Sequence, residues 1–142
     1  METGNIGLEK NFDFTLRIVK LVKFLREEHK EFVLSKQVLR SGTSIDANME
    51  EADGAQSEKD FYSKISIAYK EARETHYWLR LLQKSEYLPE NAADSILKDC
   101  DELLKIIGSI KKTMQDKFTE NSRPSTKEGF KGILSFAIIL HS

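Results

Sequence analysis

The sequence predicts an all-α protein, an up-down-up-down four-helix bundle, and three observations lead there. Four stretches repeat apolar residues three and four apart, the period that lines one face of a helix. Only 2 prolines and 7 glycines punctuate 142 residues, which favours long helices over many short strands. The connections between the periodic stretches are short, so consecutive helices run antiparallel. Hydrophobic residues make up 39% and charged residues 32%, enough of each for the core and the solvated surface of one domain.

The first helix is expected over residues 11–28. Phe14, Ile18, Leu21 and Leu25 form its apolar stripe, widened by Phe12, Leu16, Val19 and Val22. Residues 31–34 connect it to the second helix. Ser35 is the expected N-cap there, because a serine hydroxyl accepts from a free N–H of the first turn.

The next stretch, LRSGTSIDANMEEADGAQSEKDF over residues 39–61, has the composition of a loop. A calcium loop starting at Asp46 would place Asn48 and Glu50 correctly. It would also require glycine where Glu51 stands and glutamate where Ser57 stands, and both are absent. Val38, Gly42, Ile45, Met49 and Ala52 are instead spaced by four, three, four and three, so residues 36–53 are a second helix. Gly42 costs such a helix about 1 kcal/mol relative to alanine, which close approach of a neighbouring helix would offset. Ser41, Ser44 and Asn48 lie beside the seam, small polar residues suited to tight packing or to hydrogen bonds with a partner helix.

Gly54 is the expected helix terminator, and Ser57 with Asp60 resembles a capping box. A third helix then runs to about residue 85 with Phe61, Ile65, Ala68, Ala72, Thr75, Leu79 and Leu82 as its seam. Tyr87, Leu88 and Pro89 make a turn, with Pro89 near the first position of helix four. That helix carries Ile96, Cys100, Leu103, Ile107, Ile110 and Met114, and fades near Phe118. The bundle thus occupies residues 1–118. Residues 119–142 are a polar linker and an apolar tail, GILSFAIILHS, too short to span a bilayer. Docking on the bundle, pairing with another copy and a poorly selected sequence all stay open for the tail.

Charge and motif content narrow the function classes. Lys+Arg 22 against Asp+Glu 23 gives a formal net charge of -1, so any nucleic-acid contact must come from a local patch. Cys100, the single cysteine, sits at a core position of helix four and reads as a small apolar residue. No secretory signal or membrane span is apparent, and a cytoplasmic location is the default expectation. A di-iron bundle needs Glu-x-x-His pairs, but Arg73 precedes His76 at that offset and Arg26 precedes His29. His141 lies in the tail, and His29 suits a helix C-terminus, where cations are favoured. No phosphate loop or nucleophile–base arrangement appears, so no enzyme, metal or cofactor is expected.

Helix three carries a pattern on every face. Tyr62, Tyr69, Lys70, Arg73, Tyr77, Arg80 and Lys84 form a basic stripe interleaved with aromatics, a composition that suits phosphates and stacked bases. Ile67, Glu71, Glu74, Trp78 and Leu81 form an acidic and apolar face on the other side. The two unlike faces could meet head to tail between subunits, the stripe could hold RNA, or the tyrosine bodies and arginine stems could simply cover the bundle edge.

The forty-odd residues from Leu39 to Leu82 also carry a family signature. Its parts are RSGTSI (Arg40, Ser41, Gly42, Ser44, Ile45), AN (Asn48), Glu51, then GAQS, KDF, KEARET and YWLRLL. This run resembles a bacterial four-helix-bundle family that includes the proteins encoded within intervening sequences of large-subunit ribosomal RNA genes. Asp46 departs from the family's usual Gly or Pro, and Met49 from its usual Ile. The resemblance implies a cyclic ring, often a pentamer, and no established catalytic activity. A more distant cousin, the accessory variability determinant of diversity-generating retroelements, binds a reverse transcriptase and RNA. The expectation is therefore a non-enzymatic homo-oligomeric scaffold or adaptor. The alternative is an RNA-binding accessory protein acting with ribosomal RNA or a reverse transcriptase.

Overall fold

The computed structural model describes residues 2–121, with side chains from Leu8 to Glu120. It consists of α1 (Glu2–Glu28), α2 (Leu34–Asp53), α3 (Glu58–Lys84) and α4 (Glu90–Asn121), with no strand among the described residues. Each helix packs on the next and α4 returns to α1, while α1 and α3 stand diagonally opposite. The four predicted helices are all present. The tail falls outside the described residues, except that Thr119 to Asn121 continue α4 instead of beginning a linker.

The interior is built from the predicted seams. Ile18, Leu25, Val38, Ile45, Ile65, Leu79, Leu82 and Ile107 are essentially inaccessible to solvent. Side chains this size each contribute about 1.5–3 kcal/mol on burial. Gly42 is where α1 comes closest. A Cβ there would lie 2.8 Å from Ile18 Cγ2, so only glycine fits this crossing. Across the other flank of α2, the Ser41 hydroxyl lies 2.9 Å from that of Thr75, both fully buried. The expected role of the small residues, tight packing, is what this seam shows.

Several local expectations are corrected. Ser35 does not cap α2: the helix begins at Leu34 and its cap residue, Val33, makes no side-chain cap bond. The carboxylate of Glu31 takes that part, accepting from the backbone N–H of Ser35 at 2.8 Å and of Val33 at 3.3 Å. Buried Ser35 donates its hydroxyl back to the Glu31 carbonyl at 2.8 Å. Gly54 closes α2 with φ −96°, which any residue can adopt. The left-handed closures belong to Lys30 (φ 51°) after α1 and Glu86 (φ 66°) after α3. There the N–H groups of Glu31 and Tyr87 reach back to the Leu25 and Leu82 carbonyls. Ser57 does cap α3, accepting from the Asp60 N–H at 3.0 Å. On α1, Val22 is buried, but Phe12, Leu16 and Val19 do not widen the core stripe. They are 54%, 44% and 46% exposed, because they face away from α4 and the interior.

Candidate interaction surface

Helix α3 reaches α4 through members of the basic–aromatic stripe and α2 through members of the acidic face. On the α4 side, the Tyr62 hydroxyl accepts from Gln115 at 2.9 Å and its ring stands edge-on to Phe118. Tyr69 lies over Gly108, where an added Cβ would come within 3.2 Å of its ring. The Lys111 ammonium sits 5.0 Å from the Tyr69 centroid. Burial lowers the Lys111 pKa, since no carboxylate offsets the desolvation of its charge. His76 Nε2 lies 2.9 Å from Asp101 Oδ1. These contacts commit Tyr62 and Tyr69 to the seam.

The remaining members of the stripe stay outside it. Lys70, Arg73, Arg80 and Lys84 are exposed and form no ion pair among the described residues. Tyr77 is 49% exposed and meets Trp78 edge-on at 5.0 Å.

On the α2 side, the acidic members are already engaged. The Arg40 guanidinium donates to Glu71 at 3.4 Å and also to Glu74. Glu74 accepts a further bond from the Trp78 indole N–H at 2.9 Å. Trp78 and Leu81 are half-buried, whereas Ile67 is 38% exposed. Arg40 thus acts as a clamp between α2 and α3. Within α2, the Asn48 amide donates to the Ser44 carbonyl at 2.8 Å and lies 3.1 Å from its hydroxyl. Gly42 and Ile45 are buried, and Glu51 lies 3.8 Å from Lys64. The signature residues accordingly serve helix packing. Asp46, also in that run, is 8% exposed with Oδ1 unpartnered. Burial, and then the charge of Glu50, raise its pKa.

Two surfaces escaped the sequence reading. One is the exposed apolar row Phe12, Leu16 and Val19 of α1. The other is Lys98, Lys105 and Lys112 on α4, whose spacing by seven is visible in the sequence but whose position opposite α3 depends on the fold. Chemically reactive groups are sparse. Cys100 is fully buried, its thiol 3.5 Å from the Ala72 carbonyl. Burial, with Asp101 and Asp99, pushes its pKa up to about 12, far from a reactive thiolate. No group of metal-ligating side chains gathers among the described residues. Among them, too, no helix is long and apolar enough to cross a membrane.

The architecture defines an antiparallel four-helix bundle whose distinctive chemistry lies on its surfaces. The chain belongs to the 23S rRNA-intervening sequence protein family, whose model matches residues 5–109. It is also similar to a crystal structure of a protein with unknown function from the S23 ribosomal protein family of Bacteroides thetaiotaomicron VPI-5482. The two are 52% identical with a TM-score of 0.76, over 78% of this chain and 98% of that chain. No curated protein matches this chain. The resemblance carried by residues 39–82 is thereby confirmed.

Proposed function

We propose that this protein is a non-enzymatic, self-assembling scaffold or adaptor, built as a cyclic homo-oligomer with the pentamer as the favoured ring, and acting in the cytoplasm. The observation that carries this reading is the pair of unlike apolar surfaces on diagonal helices. Phe12, Leu16 and Val19 lie on α1, each at least 44% exposed, while Ile67 on α3 is 38% exposed and shares its face with half-buried Trp78 and Leu81. α1 and α3 do not pack on each other, so the two surfaces lie on different, diagonally placed helices of the bundle. A contact between two different surfaces is heterologous and closes into a ring when its rotation permits. Exposed apolar patches of this kind mark interaction sites. Light scattering is expected to give a multiple of the 16.3 kDa chain mass. A stable monomer at tens of micromolar, an order-of-magnitude choice for a modest interface, would overturn the reading.

A second reading is an RNA-binding accessory role, with ribosomal RNA or a reverse transcriptase as partner. It draws support from Arg40, which occupies Glu71 and Glu74 within the chain and so leaves the stripe's own cations without those partners. Replacing Arg73, Arg80 and Lys84 together by Gln should weaken RNA binding and flatten its log–log salt slope by about two units, while assembly persists. A triple variant that loses its ring and keeps its RNA affinity would return the stripe to subunit contact.

A further inference from the structure

We infer that the groove between α3 and α4 holds a single-stranded sugar–phosphate backbone, laid lengthwise between two facing rows of cations. The inference rests on the RNA-binding reading and extends it from one helix to a two-walled site. One wall is Arg73, Arg80 and Lys84 of α3; the other is Lys98, Lys105 and Lys112 of α4.

The register of the seam places these walls. His76 meets Asp101, Tyr69 lies over Gly108, and Tyr62 meets Gln115. This antiparallel order sets Arg80 level with Lys98 and Arg73 level with Lys105. Residues seven apart on a helix lie about 10.5 Å apart and nearly in line, so each wall repeats its charge along the groove. Between the walls are two adjoining hollows of about 490 and 620 Å³ that share Asp101. Arg80, Lys84 and Lys98 line the first; Lys105 and Lys112 line the second.

Among the described residues, none of the six cations has a carboxylate within ion-pair distance. The groove's own acids are otherwise engaged: Asp101 faces His76 at 2.9 Å, and Asp94 accepts from Gln83 at 2.7 Å. Lys98 and Lys105 act electrostatically on Glu102, but that carboxylate bonds Lys10 on the α1 side. Five cations and two carboxylates therefore line this concave strip of a chain whose net charge is -1. Self-repulsion among unpaired cations is relieved by a polyanion whose charges also repeat along a line. A flat headgroup surface would meet only the rims. Half-exposed Tyr77, between Arg73 and Arg80 on α3, offers a ring on which a base can stack.

The test uses the full chain, a labelled single-stranded RNA of mixed sequence and the same sequence as DNA, followed by fluorescence anisotropy across a salt series. Changing Lys98, Lys105 and Lys112 together to Gln is expected to weaken binding about tenfold or more and to flatten the log–log salt slope by about two. The same three changed to Arg should retain binding. Lys20, Lys23 and Lys36 changed to Gln, an equal charge change elsewhere, should leave it nearly intact. Similar affinity for RNA and DNA assigns recognition to the phosphates, and preference for RNA adds the 2′-hydroxyl; both sustain the groove. Unaltered binding by the Lys98, Lys105 and Lys112 Gln variant overturns it. If the Arg73, Arg80 and Lys84 variant nevertheless fails to bind, the RNA reading survives without the second wall; if wild type binds neither strand, both fall. Equal competition by polyglutamate would give the groove to an acidic polypeptide and overturn the proposal. So would a Gln variant whose only change, by light scattering, is in assembly.

Discussion

Single positions in α2 set both its tightest contact and its least favourable one. Gly42→Ala would gain roughly 1 kcal/mol of helix propensity. It would also drive a Cβ to 2.8 Å from Ile18 Cγ2 and 3.0 Å from Cγ1. Ile18 is fully buried and cannot move freely, so overpacking wins, with an expected net loss of about 1–3 kcal/mol in urea unfolding. A more stable alanine variant would show that the α1–α2 crossing has slack. Asp46 works the other way. Its raised folded pKa means that the native state holds its proton to higher pH than the unfolded chain does. Stability contributed at this site is therefore greatest below the unfolded carboxyl pKa and falls as pH rises through the folded one. Asp46→Asn should raise stability at neutral pH and remove that part of the pH dependence. Parallel slopes for both proteins between pH 4 and 7, a window of about the carboxyl range, would refute this account.

At the scale of the helices, the ends separate what local chemistry decides from what the fold decides. Lys30 and Glu86 adopt left-handed conformations that cost a side-chain-bearing residue roughly 1 kcal/mol or more. Lys30→Gly and Glu86→Gly should each stabilise the bundle by about 0.5–1 kcal/mol, raising the thermal midpoint, offset partly by the freer unfolded chain. Gly54→Ala should be neutral to slightly stabilising, because φ is −96° and an added Cβ meets only the Glu51 carbonyl, at 3.9 Å. A loss at Gly54 larger than the gain at Lys30 would contradict this ordering. The four apolar seams were legible in the sequence because a 3.6-residue period survives whatever the neighbours are. The start of α1 was not, since ETGNIG offers little periodicity and two glycines. Nor was the cap of α2, where Glu31 outreaches the nearer serine. Arg40 clamping Glu71 and Glu74, and Lys105 standing level with Arg73, depend on tertiary register that no local pattern contains. Helix three's faces were read as separate stripes for that reason, although its tyrosines belong partly to the seam.

For the whole molecule, the decisive question is which part of the chain closes the assembly. The deepest buried residues of α4 end at Ile107, and its further ties to α3 run through Lys111, Gln115, Phe118 and the Lys117–Glu58 ion pair. Those ties, and both apolar surfaces on α1 and α3, lie within residues 2–121. A chain ending after Asn121 should therefore unfold in one cooperative thermal transition, with a midpoint close to that of the full chain. By light scattering it should also keep the same number of subunits. Truncation before Gln115 is expected to be worse, because it strips the Tyr62 hydroxyl of its partner and bares one side of α3; removing such contacts costs about 1–3 kcal/mol. A chain ending after Asn121 that folds cooperatively but runs as a monomer would transfer the subunit contact from the helical faces to the apolar tail. Loss of the cooperative transition itself would make the tail part of the bundle's core.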